Sequence, residues 1–435
     1  MSARSAAPSP PLLLVVHDRG SATVLRVLAA ARGLCRVVLL CEPGDPRTGE
    51  ELRAAGRHAE VVDITGLGED AVCRLAAGLA PAGVVTFSER RLRLTARVAE
   101  ACGLPFHSPE TAAVLTDKYR QRRALAAGGV QDTRCALVRG PADADAALAA
   151  TGLPAVLKPR SGAGGVDTCL VRSPDELLSR LAEFTADGAG DFVLEEYLPG
   201  DPAGAGPGAG DYVSVESVVA GGEPRTVAVT GKLPLAPPFR ETGHLLPAPL
   251  APGLVTEAVR LERRALRALG VRHGVTHTEI KLTPDGPRVI EVNGRLGGHI
   301  AEIVQRSLGY DLVAAALRLA LGLPAPDPAE AGVPVRDGVA FHCKLVAPQD
   351  RERPDLGPLA ALLAELPGVD LVDVSPAAGA AGERTAGWRA GTAGAVGVVY
   401  GSAADHAELW DVLREVRARL DAFWHTSSVS APASM

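Results

Sequence analysis

Two short β-type runs hold the residues best suited to chemistry, THTEIKLT around Glu279 and PRVIEVN around Glu291. Side chains alternate between the faces of a strand, so His277, Glu279 and Lys281 share one face while Ile280 and Leu282 take the other. In the second run Glu291, Asn293 and Arg295 share a face opposite Ile290 and Val292. If both apolar faces meet one core, two glutamates and an asparagine stand side by side. Like charges opposed across a ladder repel. A divalent cation with hard oxygen ligands offsets that repulsion, and magnesium is the expected ion where phosphate shares the site. Two ions roughly 3.5–4 Å apart would bridge such carboxylates. The alternative is a solvated charged strand face, against which Lys281 and Arg295 weigh by bracketing the metal ligands Glu279, Glu291 and Asn293. The connection Thr283-Pro284-Asp285-Gly286-Pro287 sets the register. Opposing Glu279 to Glu291 requires an odd loop centred on Asp285, and a two-residue Asp285-Gly286 turn shifts the pairing by one.

A second group suits phosphate. Lys158 ends an apolar strand and precedes Pro159-Arg160-Ser161-Gly162-Ala163-Gly164-Gly165, whose missing side chains let backbone N–H groups approach an anion. The run is neither a P-loop nor a dinucleotide fingerprint, and alone it reads equally as a turn. Composition sharpens it: about 40 arginines stand against five lysines, Lys118, Lys158, Lys232, Lys281 and Lys344, so a lysine in this chain is expected to have a task. His273 and His277 lie four apart on a strand without a third ligand and read as structural.

The elements that must position these residues follow from periodicity. Residues 12–105 alternate β-type runs with amphipathic stretches, which predicts a parallel sheet with helices on both faces. His17-Asp18-Arg19-Gly20-Ser21 lacks the G-x-G-x-x-G of a dinucleotide domain. Residues 109–128 read as helix, capped at Ser108, with a second cap signal at Thr116-Asp117. Strand signals around one helix in 151–198 suggest a small α+β unit, and 199–210, nearly all Gly, Pro and Ala, a flexible surface loop. Strands resume to about 233, a helix covers 254–269, the carboxylate strands follow, and helical patterns cover 300–321. The expectation is an α/β and α+β multidomain chain. It has an N-terminal Rossmann-like unit at 1–108, linker helices and a lid at 109–198, a central antiparallel-sheet unit at 199–325 and a separate C-terminal lobe at 326–435.

With 435 residues, 47% hydrophobic and 22% charged, the chain exceeds one core. A net charge of -6 without long single-sign runs gives no nucleic-acid or membrane footprint. The apolar stretch near residue 12 is too short for a signal or a span, so a cytoplasmic protein is expected. Seven scattered cysteines form no C-x-x-C pair and read as small buried hydrophobes.

The ordered series DKYRQRRALAAGGV, LPAVLKPRSGAGG, FVLEEYLPG, HTEIKL and VIEVNGRLGG resembles the ATP-grasp superfamily over roughly residues 10–325. That resemblance implies ATP and magnesium, two ions, with manganese able to substitute. Lys118 and Lys158 would hold phosphates, Ser161, Gly162, Gly164 and Gly165 the lid loop, and Glu195, Glu196 and Leu198 the adenine and ribose pocket. Asp211 and Lys281 join the nucleotide-contacting set. Where the family often has an acidic residue two before Ser214-Val215-Glu216, this chain has Tyr212, after Asp211. Within the superfamily, TFSERR and TGKLPLAPPFRETGHLLPA look like the L-amino-acid ligases that make dipeptides. They imply that Glu89 and Glu241 anchor an amino group, and that His244 and Arg295 face the carboxylate, acyl phosphate or oxyanion as catalytic residues. The function implied is ATP-dependent ligation of a small-molecule carboxylate and amine, with a homodimer possible. A biotin-carboxylase-like enzyme and a non-catalytic ATP-binding regulator are the rival readings.

Overall fold

In the computed structural model, the described residues are 9–58, 60–186, 188, 190–327, 337–374, 385 and 387–429. The first strand, β1 (Leu12–Val16), is buried along its whole length. Its alternate side chains enter two different cores: Leu13 and Val15 pack with Val24, Val27 and Ile303, while Leu12, Leu14 and Val16 pack with Val72, Ala76 and Val98. A strand covered on both faces favours parallel neighbours. Accordingly β1 pairs in parallel with β2 (Arg36–Cys41) and β4 (Gly83–Val85), and β2 with β3 (Glu60–Asp63), in the order β3-β2-β1-β4.

The segment expected as one helix is two. Pro109–Leu115 is capped by Ser108, whose hydroxyl accepts from the Thr111 amide, and Lys118–Ala127 is capped by Asp117, which accepts from the Arg120 amide. The second cap makes Lys118 the first residue of its helix. A small sheet follows, ordered β5-β8-β6-β7, from β5 (Cys135–Val138), β6 (Ala155–Pro159), β7 (Cys169–Val171) and β8 (Phe192–Glu196). It closes on its own core of Val138, Leu157, Leu177, Phe184 and Phe192.

The remaining strands are β9 (Tyr212–Ala220), β10 (Glu223–Lys232), β11 (Gly243–Leu246), β12 (Gly274–Thr283), β13 (Gly286–Asn293), β14 (Val339–Val346), β15 (Val369–Asp373) and β16 (Ala395–Ala403). They form one sheet in the order β13-β12-β9-β10-β11-β14-β16-β15. The division expected at 325/326 therefore falls between strands of a single sheet, because β11 pairs with β14 from Gly243↔Cys343 to Leu246↔Ala340. Helix Pro252–Ala268 covers the apolar underside of β9, β12 and β13 through Ala258, Ala265 and Leu266.

The Gly-Pro-Ala run at 199–210 lies at the surface but has structure of its own. Pro202–Ala205 is a short helix, and Ala205 is buried. A Cβ on Gly208 would come within 2.9 Å of the Trp410 indole, so close approach explains its glycine. Among the described residues no helix is long and apolar enough to cross a membrane.

Candidate active site

The β12–β13 hairpin brings Glu279 directly opposite Glu291 and His277 opposite Asn293. It does so by a route the sequence did not disclose. The turn is the two-residue Pro284-Asp285, with Thr283 paired to Gly286, which alone would leave the glutamates out of step by one. A bulge at Ile290 absorbs the offset, since Ile280 pairs with Val289 and Glu279 with Glu291. The odd loop expected from turn arithmetic is replaced by a short turn plus an extra residue in β13.

The bulge frees backbone carbonyls, and helix Lys118–Ala127 captures them. Arg122 donates to the Val289 oxygen at 2.7 Å and the Ile290 oxygen at 2.6 Å. Its guanidinium also forms a two-pronged bond to Glu195 at 3.0 and 2.9 Å. Gln121 brackets the Val292 peptide, donating to its oxygen at 3.0 Å and accepting from its nitrogen at 2.8 Å. These contacts fix the carboxylate strand against the helix that carries Lys118.

Lys118 Nζ lies 3.1 Å from Glu291 and donates to the Gly162 carbonyl at 2.7 Å. It thus joins the acidic hairpin to the glycine loop. Gly162, Gly164 and Gly165 all have positive φ, at 123°, 75° and 69°, which side chains rarely adopt. The loop is held from its far side by residues 388–394. The Thr392 amide donates to the Gly164 oxygen at 2.8 Å, and Arg389 bonds Asp167 at 2.6 Å. Lys158 pairs with Glu195 at 2.8 Å, so Glu195 is enclosed by Arg122 and Lys158. Glu196 meets Arg134 at 2.7 Å, Leu198 is half-buried, Ser161 is exposed, and Lys281 pairs with Asp211 at 2.6 Å.

Burial would raise the Glu279 carboxyl, but the hydrogen bond from His277 and the charge of Lys232 take it down to about 2. His277, expected to be structural, stands inside the site: Nδ1 is 2.9 Å from Glu216 and Nε2 is 3.4 Å from Glu279. Asn293 Oδ1 accepts from Arg295 at 3.1 Å, and Arg295 Nε donates to Glu89 at 3.0 Å. Burial outweighs that guanidinium and raises the Glu89 carboxyl. Among the described residues no three His, Cys, Asp or Glu side chains converge as a metal cage. The donor set at the hairpin is two carboxylates and a carboxamide, hard oxygen ligands that fit an ion completing its shell with phosphate and water.

Beside this centre, Glu241 accepts from Lys232 at 3.0 Å and Lys344 at 2.6 Å, and lies 2.7 Å from His244 Nε2. His244 Nδ1 is 3.0 Å from His342 Nε2, and burial pushes the His244 ring down to about 4, leaving it neutral. Lys232 lies 4.0 Å from Glu279 and links the two clusters. His299, at φ 62°, bonds the Tyr400 hydroxyl at 2.7 Å. Sequence reading assigned no role to Arg122, Gln121, Glu216, Lys232, His342 or Lys344. The scarcity of lysine was the available signal for two of them: all five lysines form ion pairs here, with Glu291, Glu195, Glu241, Asp211 and again Glu241.

No family model matches the sequence. Carnosine synthase 1 of Gallus gallus is 30% identical over 277 residues, covering 57% of this chain and 28% of that protein. Alanine–anticapsin ligase of Bacillus subtilis is 28% identical over 244 residues, covering 53% and 52%. The chain thus spans less than two thirds of either relative's length. Among solved structures, an L-amino acid ligase from Bacillus licheniformis superposes with a TM-score of 0.72 at 21% identity, covering 95% of this chain and 98% of that one. Carboxyaminoimidazole ribonucleotide synthase from Aspergillus clavatus, complexed with ATP, also gives 0.72, at 17% identity and with 95% and 99% covered. The chain has the ATP-grasp fold.

Proposed function

We propose that this chain is an ATP-dependent carboxylate–amine ligase. It activates an acid as an acyl phosphate, joins it to an amine as an amide, and releases ADP and phosphate; the substrates are amino acids or amino-acid-like molecules. The observation that carries this reading is the opposition of Glu279 to Glu291 with Lys118 in contact, on a fold shared with an L-amino acid ligase. Two acidic side chains held face to face need cations to be stable.

Glu279, Glu291 and Asn293 would hold magnesium, two ions in this reading, with manganese able to replace it. Such ions supply charge neutralisation to the transferring phosphoryl group. Lys118, Lys158 and the backbone of Ser161, Gly162, Gly164 and Gly165 bind phosphate, with Glu196, Leu198, Asp211 and Lys281 around the nucleoside. Arg295, always charged and fixed by Glu89 and Asn293, is aimed to stabilise negative charge that develops on oxygen as the amine attacks. His244, held neutral, acts there as a hydrogen-bonding group. Glu89 and Glu241 border the substrates. ATP as co-substrate makes a cytoplasmic setting part of the same reading.

The test is phosphate release from ATP across a matrix of acids and amines. Glu291→Gln should lower turnover at least about a hundredfold, the scale of losing an electrostatic contact to the transition state, with the circular dichroism spectrum unchanged. Wild-type turnover in that variant with magnesium would remove the metal assignment. Release driven by bicarbonate alone, or nucleotide binding without turnover across the matrix, would remove the ligase reading.

A further inference from the structure

The glycine loop that reads as the phosphate cover is fastened at two places. At its root, the small sheet β5-β8-β6-β7 is tied to helix Lys118–Ala127, where Arg122 grips Glu195 and the Lys118 amide donates to the Arg160 oxygen at 2.9 Å. At its tip, the partner is the segment Trp388–Gly394, in the part of the chain that had no assigned role. Arg389 lies 222 residues beyond the Asp167 it binds.

The tip is held by a backbone clasp. The Asp167 amide donates to the Arg389 oxygen at 3.1 Å, and the Thr392 amide donates to the Gly164 oxygen at 2.8 Å, so the two segments exchange bonds in both directions. Arg389 adds its side chain to this pair: Nε donates to Asp167 Oδ1 at 2.6 Å, Nη1 lies 3.6 Å from Glu183, and the guanidinium sits over the Phe184 ring, 4.8 Å from its centre. Glu183 and Phe184 belong to helix Pro174–Ala186, and Phe184 is part of the small sheet's own core. One guanidinium therefore binds the loop and the body that carries it.

Asp167 has φ 50°, a conformation that residues with side chains seldom adopt. Such strain persists where the surroundings over-determine it, and it clusters in ligand clamps. Here Arg389 takes both the amide and the carboxylate of Asp167. The loop is thus held down by bonds of the protein itself, from a segment outside the sheet that bears it.

We propose that Arg389 is a positioning residue for the glycine loop, clasping it over bound nucleotide and setting how long that nucleotide stays. This rests on the reading of the chain as an ATP-dependent enzyme. Exchanging ADP for ATP requires the clasp to part, a step of the kind that limits product release in many enzymes with closing loops.

The experiment follows release of ADP labelled on the ribose with N-methylanthraniloyl, in magnesium, chased by excess ATP in a stopped-flow fluorimeter. Arg389→Ala should speed release about tenfold, the scale of losing a hydrogen bond to a charged group. Asp167→Asn, a substitution that tolerates positive φ, should speed it severalfold. The double variant should release no faster than Arg389→Ala, because the two side chains share one bond, and Arg389→Lys should recover part of the loss. A merely structural arginine would lower the unfolding midpoint and leave the release rate alone. Amide exchange in the nucleotide-free wild-type protein needs no variant: the Asp167 and Thr392 amides should be protected. The proposal is overturned if Arg389→Ala releases labelled ADP at the wild-type rate, if the two single substitutions act independently, or if those two amides exchange as fast as in an unstructured peptide. Unchanged release would sink this inference and leave nucleotide binding standing. Failure of the wild-type protein to bind labelled ADP would sink the ATP reading and this inference with it.

Discussion

One buried carboxyl group makes a contribution to stability that falls as pH rises. Glu262, on helix Pro252–Ala268, is fully buried beneath the central sheet near Ser217, and burial pushes it from 4.5 up to about 7. A raised folded-state value means that the native protein binds a proton the unfolded chain has already released, so stability falls as pH rises from about 4.5 to about 7 and then levels. Glu262→Gln should remove that decline and raise stability at pH 8 by up to about 3 kcal/mol, taking 1.36 kcal/mol per pH unit as the ceiling. Urea unfolding at pH 5 and pH 8 measures it. Glu195 works oppositely: burial opposes its charge, but Arg122 and Lys158 bring it down to about 2, so its contribution is lost only on acidification below the ordinary range. Sequence reading placed Glu279, Glu291 and Asn293 on one face because a period of two is a local property. It passed over His277, whose role depends on Glu216 in a neighbouring strand.

At the scale of elements, the hairpin register depends on a helix. The Ile290 bulge persists because Arg122 occupies the carbonyls it frees and Gln121 clamps the next peptide. Arg122→Met should cost about 3–5 kcal/mol, since it leaves the buried Glu195 carboxylate and two buried oxygens short of a partner. A fall in the urea midpoint checks the prediction, and magnesium affinity should weaken with it. No turn rule could disclose the bulge, because its cause lies more than 160 residues away in sequence. The glycine loop has a comparable dependence. Gly391 has φ 56°, and a Cβ there would stand 2.1 Å from the Gly164 oxygen. Gly391→Ala should therefore displace the loop and raise the KM for ATP severalfold, with the unfolding midpoint of the central sheet little changed; initial rates at varied ATP would show it.

Across the whole molecule, one eight-stranded sheet extends from the acidic β12–β13 hairpin to β15 and β16. A chain ending at residue 325 should accordingly lose more than an appendage. It would expose the edge of β11, strip Lys344 from Glu241 and release the glycine loop from Thr392. Such a truncation should aggregate and bind ATP poorly, which light scattering and nucleotide titration would register; a folded, ATP-binding product would contradict the continuity of the sheet. The alternation of the first hundred residues made their parallel sheet readable, whereas β14 gains its meaning from pairing with β11, and β16 and β15 from adding to it in turn, relations that short apolar runs do not encode. The placement of the lysines has a last consequence, for chemical self-protection. In the proposed reaction an acyl phosphate that escapes its intended acceptor would acylate whatever amine it meets, and in this chain every lysine amine is paired with a carboxylate and at most 12% exposed. The outer surface, furnished with guanidinium groups, offers a stray activated acid few nucleophiles to damage.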